Sequence, residues 1–170
     1  QALLSAIREK GYGGLDVDFE YLSAGDAIPY ARFVEELRAL LAPVGMPVFT
    51  ALAPKTFAAQ PGTLYEGHDY ALLGKAVDGV LLMTYEWGYT YGPPMAVAPI
   101  RNVRQVVEYA LTEIPPEKIW LGIPTYGYDW TLPYEKGSRA VSLSNPRALE
   151  LAAAHRAAIR YDETAQSPWF

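Results

Sequence analysis

The sequence predicts an α/β fold built around a mainly parallel sheet, and three observations support this class. Short strand-like segments alternate with amphipathic helical segments as far as about Thr125. Three of the strand-like segments are nearly continuous apolar runs, which is typical of parallel strands covered by helices. The chain has 170 residues, 51% of them hydrophobic, so one domain with a substantial core is expected.

Hydrophobic periodicity predicts the first three elements. An apolar stripe within residues 3–7 indicates a helix, and Gly11 favours its end. Residues 15–20 alternate apolar and acidic side chains, as the two faces of one strand do. Asp26 is the expected N-cap of a second helix. That helix should carry an apolar face made of Tyr30, Phe33, Val34, Leu37, Leu40 and Leu41.

The next elements continue the alternation of strand and helix. Residues 48–52 form a short apolar strand, and a short helix is expected around residues 71–76. Residues 80–85 and 119–123 are two further apolar strands. Between them Pro99 begins a helix, since proline suits the first helical turn. Its apolar face should comprise Val103, Val106, Val107, Ala110, Leu111 and Ile114.

The pattern changes after Thr125, where aromatic residues, glycine and proline crowd together. Ser144 is the expected N-cap of another helix, and residues 159–170 indicate the start of a strand or hairpin. Four strands of this kind fit either an open doubly wound sheet or part of a barrel. A complete (β/α)8 barrel needs roughly 250 residues. The pattern alone leaves both architectures open.

Composition excludes several classes of function. A net charge of −5 argues against a nucleic-acid surface, and no basic run suits anionic lipid. Without cysteine there are no thiol nucleophiles or zinc–thiolate sites, and His68 and His155 show no metal spacing. No apolar stretch reaches the roughly 20 residues that span a bilayer. We therefore expect no cofactor, no nucleic-acid or membrane partner, and no metal site built from cysteine or histidine. The start lacks an initiator Met and a basic leader, so a longer parent protein is expected.

Three acids lie on one face of the first predicted strand. Asp16, Asp18 and Glu20 stand at alternate positions, while Leu15, Val17 and Phe19 occupy the other face, which should pack on helices. Crowded carboxylates should separate in pKa, and at least one should stay protonated near neutral pH. A protonated acid beside an ionised one suits cleavage of a glycosidic bond.

The same three acids also fit a solvent-exposed sheet face or a metal-binding site. Alternating acids are most often the solvent face of an antiparallel sheet, because charges usually lie outside. A calcium-binding EF-hand loop fails, because Tyr21 occupies the position where the turn needs glycine. A magnesium-binding Asp-x-Asp site remains open, although no Lys-bearing phosphate loop accompanies it.

Three segments together resemble family-18 glycoside hydrolases. Gly-Gly-Leu-Asp-Val-Asp-Phe-Glu at residues 13–20 resembles the family signature Asp-Gly-x-Asp-x-Asp-x-Glu, with Gly13 where Asp is usual. Met-Thr-Tyr-Glu at residues 83–86 is similar to Met-x-Tyr-Asp on the sixth barrel strand, with Glu in place of Asp. Residues 122–127 look like the seventh strand and its exit.

The resemblance implies a fold and a branch of the family. The fold is a partial (β/α)8 TIM barrel comprising about strands 4 to 7, with the start of an α+β insertion. Residues 1–126 would be the barrel part, and residues 127–170 the incomplete insertion within the same domain. Residues 126–133 and 162–168 look like the bacterial branch linked to spore germination and cortex lysis, whose members resemble N-acetylglucosaminidases.

The resemblance also implies a reaction and its residues. It is the retaining, substrate-assisted cleavage of β-linked N-acetylglucosamine in peptidoglycan, an exception to the rule of two catalytic carboxylates. Glu20 would be the acid and base, Asp18 would orient the acetamide, Asp16 would tune Asp18, and Tyr85 would bind the acetamide oxygen. Residues that would contact sugar are Met83, Glu86, Trp87, Tyr126 and Trp130. The alternative is a carbohydrate-binding chitinase-like module, or an inactive fragment.

The resemblance extends to partner and location. The expected partner is a polysaccharide, either peptidoglycan or a chitin-like polymer, at the cell wall or spore envelope outside the cytoplasm. Strands one to three and strand eight are not matched, so an open half-barrel would expose two strand edges. We therefore expect the isolated chain to associate with itself or with another chain.

Overall fold

A four-stranded parallel sheet forms the core of the first part of the molecule. A computed structural model describes residues 2–170 and places the strands in the order β1 (Leu15–Val17), β2 (Val48–Leu52), β3 (Gly79–Leu82) and β4 (Ile119–Leu121). Every neighbouring pair in this sheet is parallel. The predicted α/β class and the parallel sheet are therefore confirmed.

Helices cover one face of this sheet. Helix α2 (Ala27–Leu41) contacts β2, and helix α3 (Tyr70–Ala76) contacts β3. Helix α1 (Ala2–Lys10) precedes β1 in the chain, and helix α4 (Ile100–Glu113) precedes β4. Val48, Val80 and Leu82 are fully buried, because every second side chain of their strands points towards this layer. Helix α2 contributes buried Tyr30 and Val34, and it packs against β2 and α3. Among the described residues, no helix has both the length and the apolar character that crossing a membrane requires.

The chain divides into two compact units. The first comprises the described residues up to Met83 together with Val106–Leu121, and it contains the parallel sheet. The second comprises Thr84–Gln105 and Gly122–Phe170. Its elements are an antiparallel hairpin of β5 (Tyr126–Asp129) and β6 (Val141–Ser144), helix α5 (Asn145–Ala154), and a second hairpin of β7 (Arg160–Asp162) and β8 (Ser167–Trp169). A domain boundary at residue 126 stays a prediction.

The parallel strands are shorter than predicted. Only Leu15–Val17 of the predicted strand 15–20 pairs with β2, so Asp18 and Glu20 follow the strand. The predicted strand 80–85 likewise ends at Leu82. Beyond β1 the main chain bonds elsewhere, since the Phe19 carbonyl accepts from the His68 ring. Asp18 and Glu20 therefore lie just beyond the carboxyl end of a parallel strand, where the main chain no longer pairs with β2.

Both predicted N-cap residues lie at the N-cap positions of their helices, but only one of them caps through its side chain. Ser144 caps α5 as predicted, because its side chain accepts from the Arg147 N–H. Helix α2 begins directly after Asp26, but the Asp26 carboxylate accepts from the N–H and hydroxyl of Ser23. Asp26 therefore occupies the predicted N-cap position of α2 without a side-chain cap bond, and its carboxylate instead closes the capping box of the turn Ala24–Asp26, whose N-cap is Ser23.

The buried face of α2 is narrower than the sequence predicts. Leu40 is 71% exposed and Phe33 is 41% exposed, although both fall on the predicted apolar face. The sheet and α3 cover only part of the helix, so these two side chains lie at the border of the buried stripe. The hairpin predicted within residues 159–170 is confirmed by β7 and β8.

Candidate active site

The acid row on β1 and the residues after it is the first candidate for chemistry. Asp16 lies within β1, Asp18 and Glu20 follow it, and all three are exposed. Phe19 points the other way, since its ring stacks on Tyr30 and Phe33 of α2 at centroid distances of 5.6 and 5.7 Å. The predicted alternation therefore persists past the last pair of the ladder, with apolar side chains towards the helices.

Asp16 lines a cavity on the sheet face opposite the helices. The cavity has a volume of about 270 Å³, and one residue from each strand forms its wall: Asp16, Phe49, Leu81 and Trp120. Although Asp16 is exposed overall, partial burial raises the pKa of its carboxyl group, and the neighbouring Asp18 carboxylate adds to the increase. This is the direction that the crowding of acids predicts, and it favours a proton on Asp16.

Two buried hydroxyls fix the end of β1 beneath the acids. The hydroxyls of Tyr30 and Thr50 lie 2.6 Å apart, and the Val17 carbonyl accepts at 3.2 and 2.9 Å from Tyr30 and Thr50 respectively. Both residues are buried, so these bonds are shielded from water. The main chain immediately before Asp18 is therefore held by α2 and β2. Sequence reasoning placed Tyr30 only on an apolar face and did not identify this role.

Met83, Tyr85, Glu86 and Trp87 follow β3. Met83 belongs to the first unit, is buried, and donates its N–H to the Leu52 carbonyl at 3.0 Å. In the second unit Tyr85 and Trp87 are half-buried, and Trp87 donates its N–H to the Val97 carbonyl at 3.0 Å. Glu86 is exposed and adopts a left-handed backbone with φ of 68°. Residues other than glycine rarely adopt a positive φ, so this conformation indicates that neighbouring contacts constrain Glu86.

Two tyrosine hydroxyls donate hydrogen bonds to the Glu86 carboxylate in the second unit. Tyr126 donates to Oε1 at 2.5 Å, and Tyr128 reaches Oε1 at 2.8 Å and Oε2 at 3.0 Å. We call Glu86, Tyr126 and Tyr128 the tyrosine–glutamate cluster. Burial raises the pKa of Tyr126, as do its hydrogen bond to Glu86 and the charges of Glu86, Tyr128 and Tyr85. The pKa of Tyr128 is raised for the same leading reasons, so both phenols stay donors.

Trp130 extends this cluster. Its ring lies tilted against Tyr128 at a centroid distance of 5.7 Å, and its indole N–H donates to the Gly92 carbonyl at 3.0 Å. A row of aromatic faces beside a fixed carboxylate can stack on sugar rings and bind their hydroxyls. The second unit thus brings together Glu86, Tyr126 and Trp130 of the predicted sugar-contacting residues. The hairpin that presents them was missed, because turn-forming residues hide the strand alternation there.

The two histidines of the chain differ in environment. His155 is exposed, whereas His68 is fully buried and makes a hydrogen bond through each ring nitrogen. Within residues 2–170, no three histidine, aspartate or glutamate side chains are arranged to hold a metal ion. Among the acids of the first unit, Asp16 is the one described above with a raised pKa.

Known proteins resemble this chain in sequence and in fold. The sequence profile of glycosyl hydrolases family 18 matches residues 1–170. A cortical fragment-lytic enzyme of Bacillus subtilis strain 168 is 51% identical over 164 residues, covering 96% of this chain and 38% of that protein. The crystal structure of the Bacillus megaterium QM B1551 spore cortex-lytic enzyme SleL aligns with a TM-score of 0.90 and 44% identity, covering 99% of this chain and 38% of that one.

A more distant relative shows the same fold. The crystal structure of a chitinase from Chromobacterium violaceum aligns with a TM-score of 0.88 and 27% identity, covering 98% of this chain and 51% of that one. This chain thus spans well under half the length of the two cortex-lytic relatives. A profile match along the entire sequence, with close agreement in fold, shows that the chain belongs to family 18 of the glycosyl hydrolases.

Proposed function

We propose that the protein carrying this chain is a glycosidase that cleaves β-linked N-acetylglucosamine in peptidoglycan, with spore cortex as its substrate. The observation that carries this proposal is the row of Asp16, Asp18 and Glu20 at the carboxyl end of a parallel strand. Family membership supports the class of reaction, and the cortical relatives support the substrate. The three residues match the last three of the four acidic positions of the family signature, and Gly13 stands at the first.

Glu20 is the proposed acid and base of a substrate-assisted reaction. Its carboxyl proton passes to the glycosidic oxygen as the bond from that oxygen to the anomeric carbon breaks. The acetamide oxygen of the same sugar attacks the anomeric carbon, which gives an oxazolinium ion. Water then attacks this carbon and gives its proton to the Glu20 carboxylate. The two inversions together retain the configuration, and Glu20 ends in its starting form.

Asp18 and Asp16 are proposed to act as a pair. An ionised Asp18 would accept from the acetamide N–H and offset the charge of the oxazolinium ion. The raised pKa of Asp16 supports a protonated Asp16 that donates to Asp18. One proton shared between neighbouring carboxyls avoids two adjacent negative charges. The pair would therefore supply one fixed negative charge where positive charge develops.

The remaining predicted residues are proposed to bind the sugar. Tyr85 would donate to the acetamide oxygen, and Met83 would form part of the floor under the sugar ring. Glu86 would accept from sugar hydroxyls, since its carboxylate is exposed yet oriented by the tyrosine–glutamate cluster. The aromatic rings of Trp87, Tyr126 and Trp130 would stack on sugar faces.

The finer architecture is proposed on the same family grounds. We infer that β1 to β4 correspond to strands 4 to 7 of an eight-stranded barrel, and that residues 127–170 belong to an insertion after strand 7. Their shared parallel order and the fold of the cortex-lytic relatives support this assignment. A protein acting on cortex would lie at the cell wall or spore envelope.

The acid assignment is tested with Glu20→Gln in the full-length protein, using cortex fragments as substrate. Because glutamine cannot donate an acidic proton, we expect kcat to fall by about 10² to 10⁴-fold. Glu36→Gln is the matched control, since Glu36 is an exposed glutamate of α2 and should leave kcat unchanged. Full activity of Glu20→Gln would refute the assignment.

Two further arms separate the alternative functions. Calorimetry with chitooligosaccharide distinguishes a binding module from an enzyme, because a module binds without turnover. Addition of EDTA distinguishes a magnesium-dependent transferase, whose activity would be lost. We expect turnover in the first arm and unchanged turnover in the second.

We also propose that the isolated chain self-associates. Trp120 of β4 is 60% exposed, and within residues 2–170 no strand pairs with the outer edge of β1 or β4. Such edges and apolar side chains favour pairing with another chain. Size-exclusion chromatography should show species larger than a monomer, and a stable monomer at high concentration would contradict the proposal.

A further inference from the structure

Two consecutive residues in the loop before α3 bind the main chain on both sides of Glu20. His68 Nε2 lies 2.8 Å from the Phe19 carbonyl, immediately before Glu20. The Gly67 N–H donates to the Leu22 carbonyl at 3.1 Å, two residues after Glu20. The short segment carrying the acid is therefore attached at both ends to one dipeptide. These two bonds join residues that are far apart in the sequence.

The hydrogen bonds of His68 specify one neutral tautomer. The Ala53 N–H donates to Nδ1 at 2.8 Å, so Nδ1 must carry a lone pair. The proton then resides on Nε2, which donates it to the Phe19 carbonyl. Both ring nitrogens are satisfied, and the ring is fully buried and stacks on Tyr30 at 6.1 Å between centroids. The imidazole thus connects the residue after β2 to the residue before Glu20.

Burial of the His68 ring favours this neutral form. Burial lowers the pKa of His68, and the nearby Lys55 ammonium lowers it further. The bonded Phe19 carbonyl and the Asp18 carboxylate act in the opposite direction. Lys55 donates from Nζ to the His68 carbonyl at 3.0 Å, which also fixes the main chain of the dipeptide.

The position of Gly67 admits no side chain. A Cβ added there would lie 2.3 Å from the Leu22 Cβ and 2.7 Å from the Leu22 carbonyl oxygen. Glycine therefore allows the close approach of two main chains on which the second bond depends. On the C-terminal side, Asp69 accepts from the Leu72 N–H and caps α3, so the dipeptide is anchored to a helix.

The segment between these bonds has a constrained backbone. Tyr21, directly after Glu20, is left-handed with φ of 56°. A non-glycine residue pays a conformational cost there and keeps this form only where neighbouring contacts enforce it. The bonds to Gly67 and His68 flank Tyr21 as well as Glu20, so they supply such contacts.

From these observations we infer that Gly67 and His68 are positioning residues that set the location of the Glu20 carboxyl by holding the main chain around it. The inference rests on the proposed function, in which Glu20 is the acid. A misplacement of about 1 Å in a proton donor can lower a rate by about 10²-fold. A main chain that holds Glu20 in place would therefore raise the rate of the reaction.

Two substitutions of His68 separate positioning from general stability. Asn places its side-chain oxygen near the location of Nδ1, so His68→Asn keeps the bond from Ala53 and loses the bond to Phe19. Gln places its amide nitrogen near the location of Nε2, so His68→Gln keeps the Phe19 bond and loses the Ala53 bond. Each variant leaves one main-chain group without its partner, the Phe19 carbonyl or the Ala53 N–H, so both should lower the urea midpoint.

Kinetics of the full-length protein should distinguish the two variants. With cortex muropeptides, we expect His68→Asn to lower kcat by about 10- to 100-fold with KM within about twofold. His68→Gln should stay within about threefold of the parent in kcat. On a 4-nitrophenyl chitooligoside the loss for His68→Asn should be smaller, because a stabilised phenolate leaves with less help from an acid. A purely structural role would not produce this dependence on leaving group.

Defined outcomes would overturn the inference. Equal losses of kcat in both variants, or parental kcat in His68→Asn, would contradict it. If His68→Asn does not fold, ¹⁵N spectra of histidine-labelled parent protein test the same geometry, and a His68 ring without the Nε2–H tautomer at neutral pH would overturn it. Glu20→Gln in parallel separates the two proposals: full activity there refutes the acid assignment, whereas inactive Glu20→Gln with parental His68→Asn refutes positioning alone.

Discussion

Two carboxylates at strand ends, Glu20 in the first unit and Glu86 in the second, are held in opposite ways. The Glu86 side chain is fixed by the hydroxyls of Tyr126 and Tyr128. The Glu20 side chain makes no hydrogen bond within the described part of the chain, whereas its flanking main chain is bonded to Gly67 and His68.

This contrast fits two different tasks. A carboxylate that only accepts from hydroxyls gains from being oriented in advance, because less freedom is lost on binding. A carboxyl group that transfers a proton needs a side-chain end that is free to reach the glycosidic oxygen. The main chain that carries this side chain must meanwhile stay in place. Both sites share a left-handed residue, Tyr21 beside Glu20 and Glu86 itself. Constrained backbone thus marks both strand ends.

Gly67→Ala should have the largest effect on stability and kcat, because it disrupts the hydrogen bond that attaches the main chain beside Glu20 to Gly67. The added Cβ would overlap Leu22, including its main-chain carbonyl, and such overpacking typically costs about 1–3 kcal/mol. We expect a lower urea midpoint and a lower kcat. Gly13→Ala is the control, since its Cβ would meet nothing within 4 Å and should change stability by less than about 0.5 kcal/mol. Equal effects of the two would contradict the account.

Tyr126→Phe should have an intermediate effect, because it loosens the side-chain attachment of Glu86. The substitution removes the 2.5 Å bond to Oε1 and keeps the ring. If the tyrosine–glutamate cluster orients a sugar-binding carboxylate, KM should rise by about three- to tenfold with kcat nearly unchanged. Tyr161→Phe serves as the control, since Tyr161 is an exposed tyrosine of β7. A fall in kcat without a rise in KM would show that Glu86 has another role.

The smallest expected effect is a pH dependence of stability that arises from His68. Its pKa in the folded state is lowered, chiefly by burial, below the unfolded value of about 6.5. Between those two values the unfolded state binds more protons, so stability falls as pH drops below about 6.5 and levels off below the folded pKa. The slope cannot exceed about 1.4 kcal/mol per pH unit for one proton.

Urea unfolding of the parent protein and His68→Gln between pH 5 and 7 measures this contribution. The groups that face His68 are Lys55, Asp18 and Tyr30, and all three remain in the variant. The stability difference between the two proteins should therefore narrow as pH falls. Curves that stay parallel would show that His68 keeps the same protonation in both states.

Local patterns were sufficient to predict the fold class and the fact that the acids lie on the strand face opposite Phe19. Strand–helix alternation and apolar runs predict the parallel sheet, and the two-residue period correctly places Phe19 against α2. The capping residue Ser144 is also local, because it bonds only three residues ahead. These features depend on neighbours in sequence, where the spacing of side chains carries the information.

The contacts that fix the candidate site were not predictable in this way. His68 bonds to Phe19 across 49 positions, and Tyr126 bonds to Glu86 across 40. No local periodicity specifies such pairs, and an isolated histidine gives no sign of its partners. Strand ends were also overestimated, since apolar runs continue through Met83 and Ile123 after pairing has stopped. Burial drives those runs, whereas the ladder depends on the partner strand.

Chemical rescue tests the central claim, that Glu20 is the acid and base, most directly. Glu20→Ala in the full-length protein is assayed on a 4-nitrophenyl chitooligoside with and without azide. Azide needs no general base, so it should attack the oxazolinium ion that water attacks slowly in this variant. The account predicts faster nitrophenolate release with azide and a glycosyl azide of β configuration. An azide-independent rate, or an α-configured product, would contradict it.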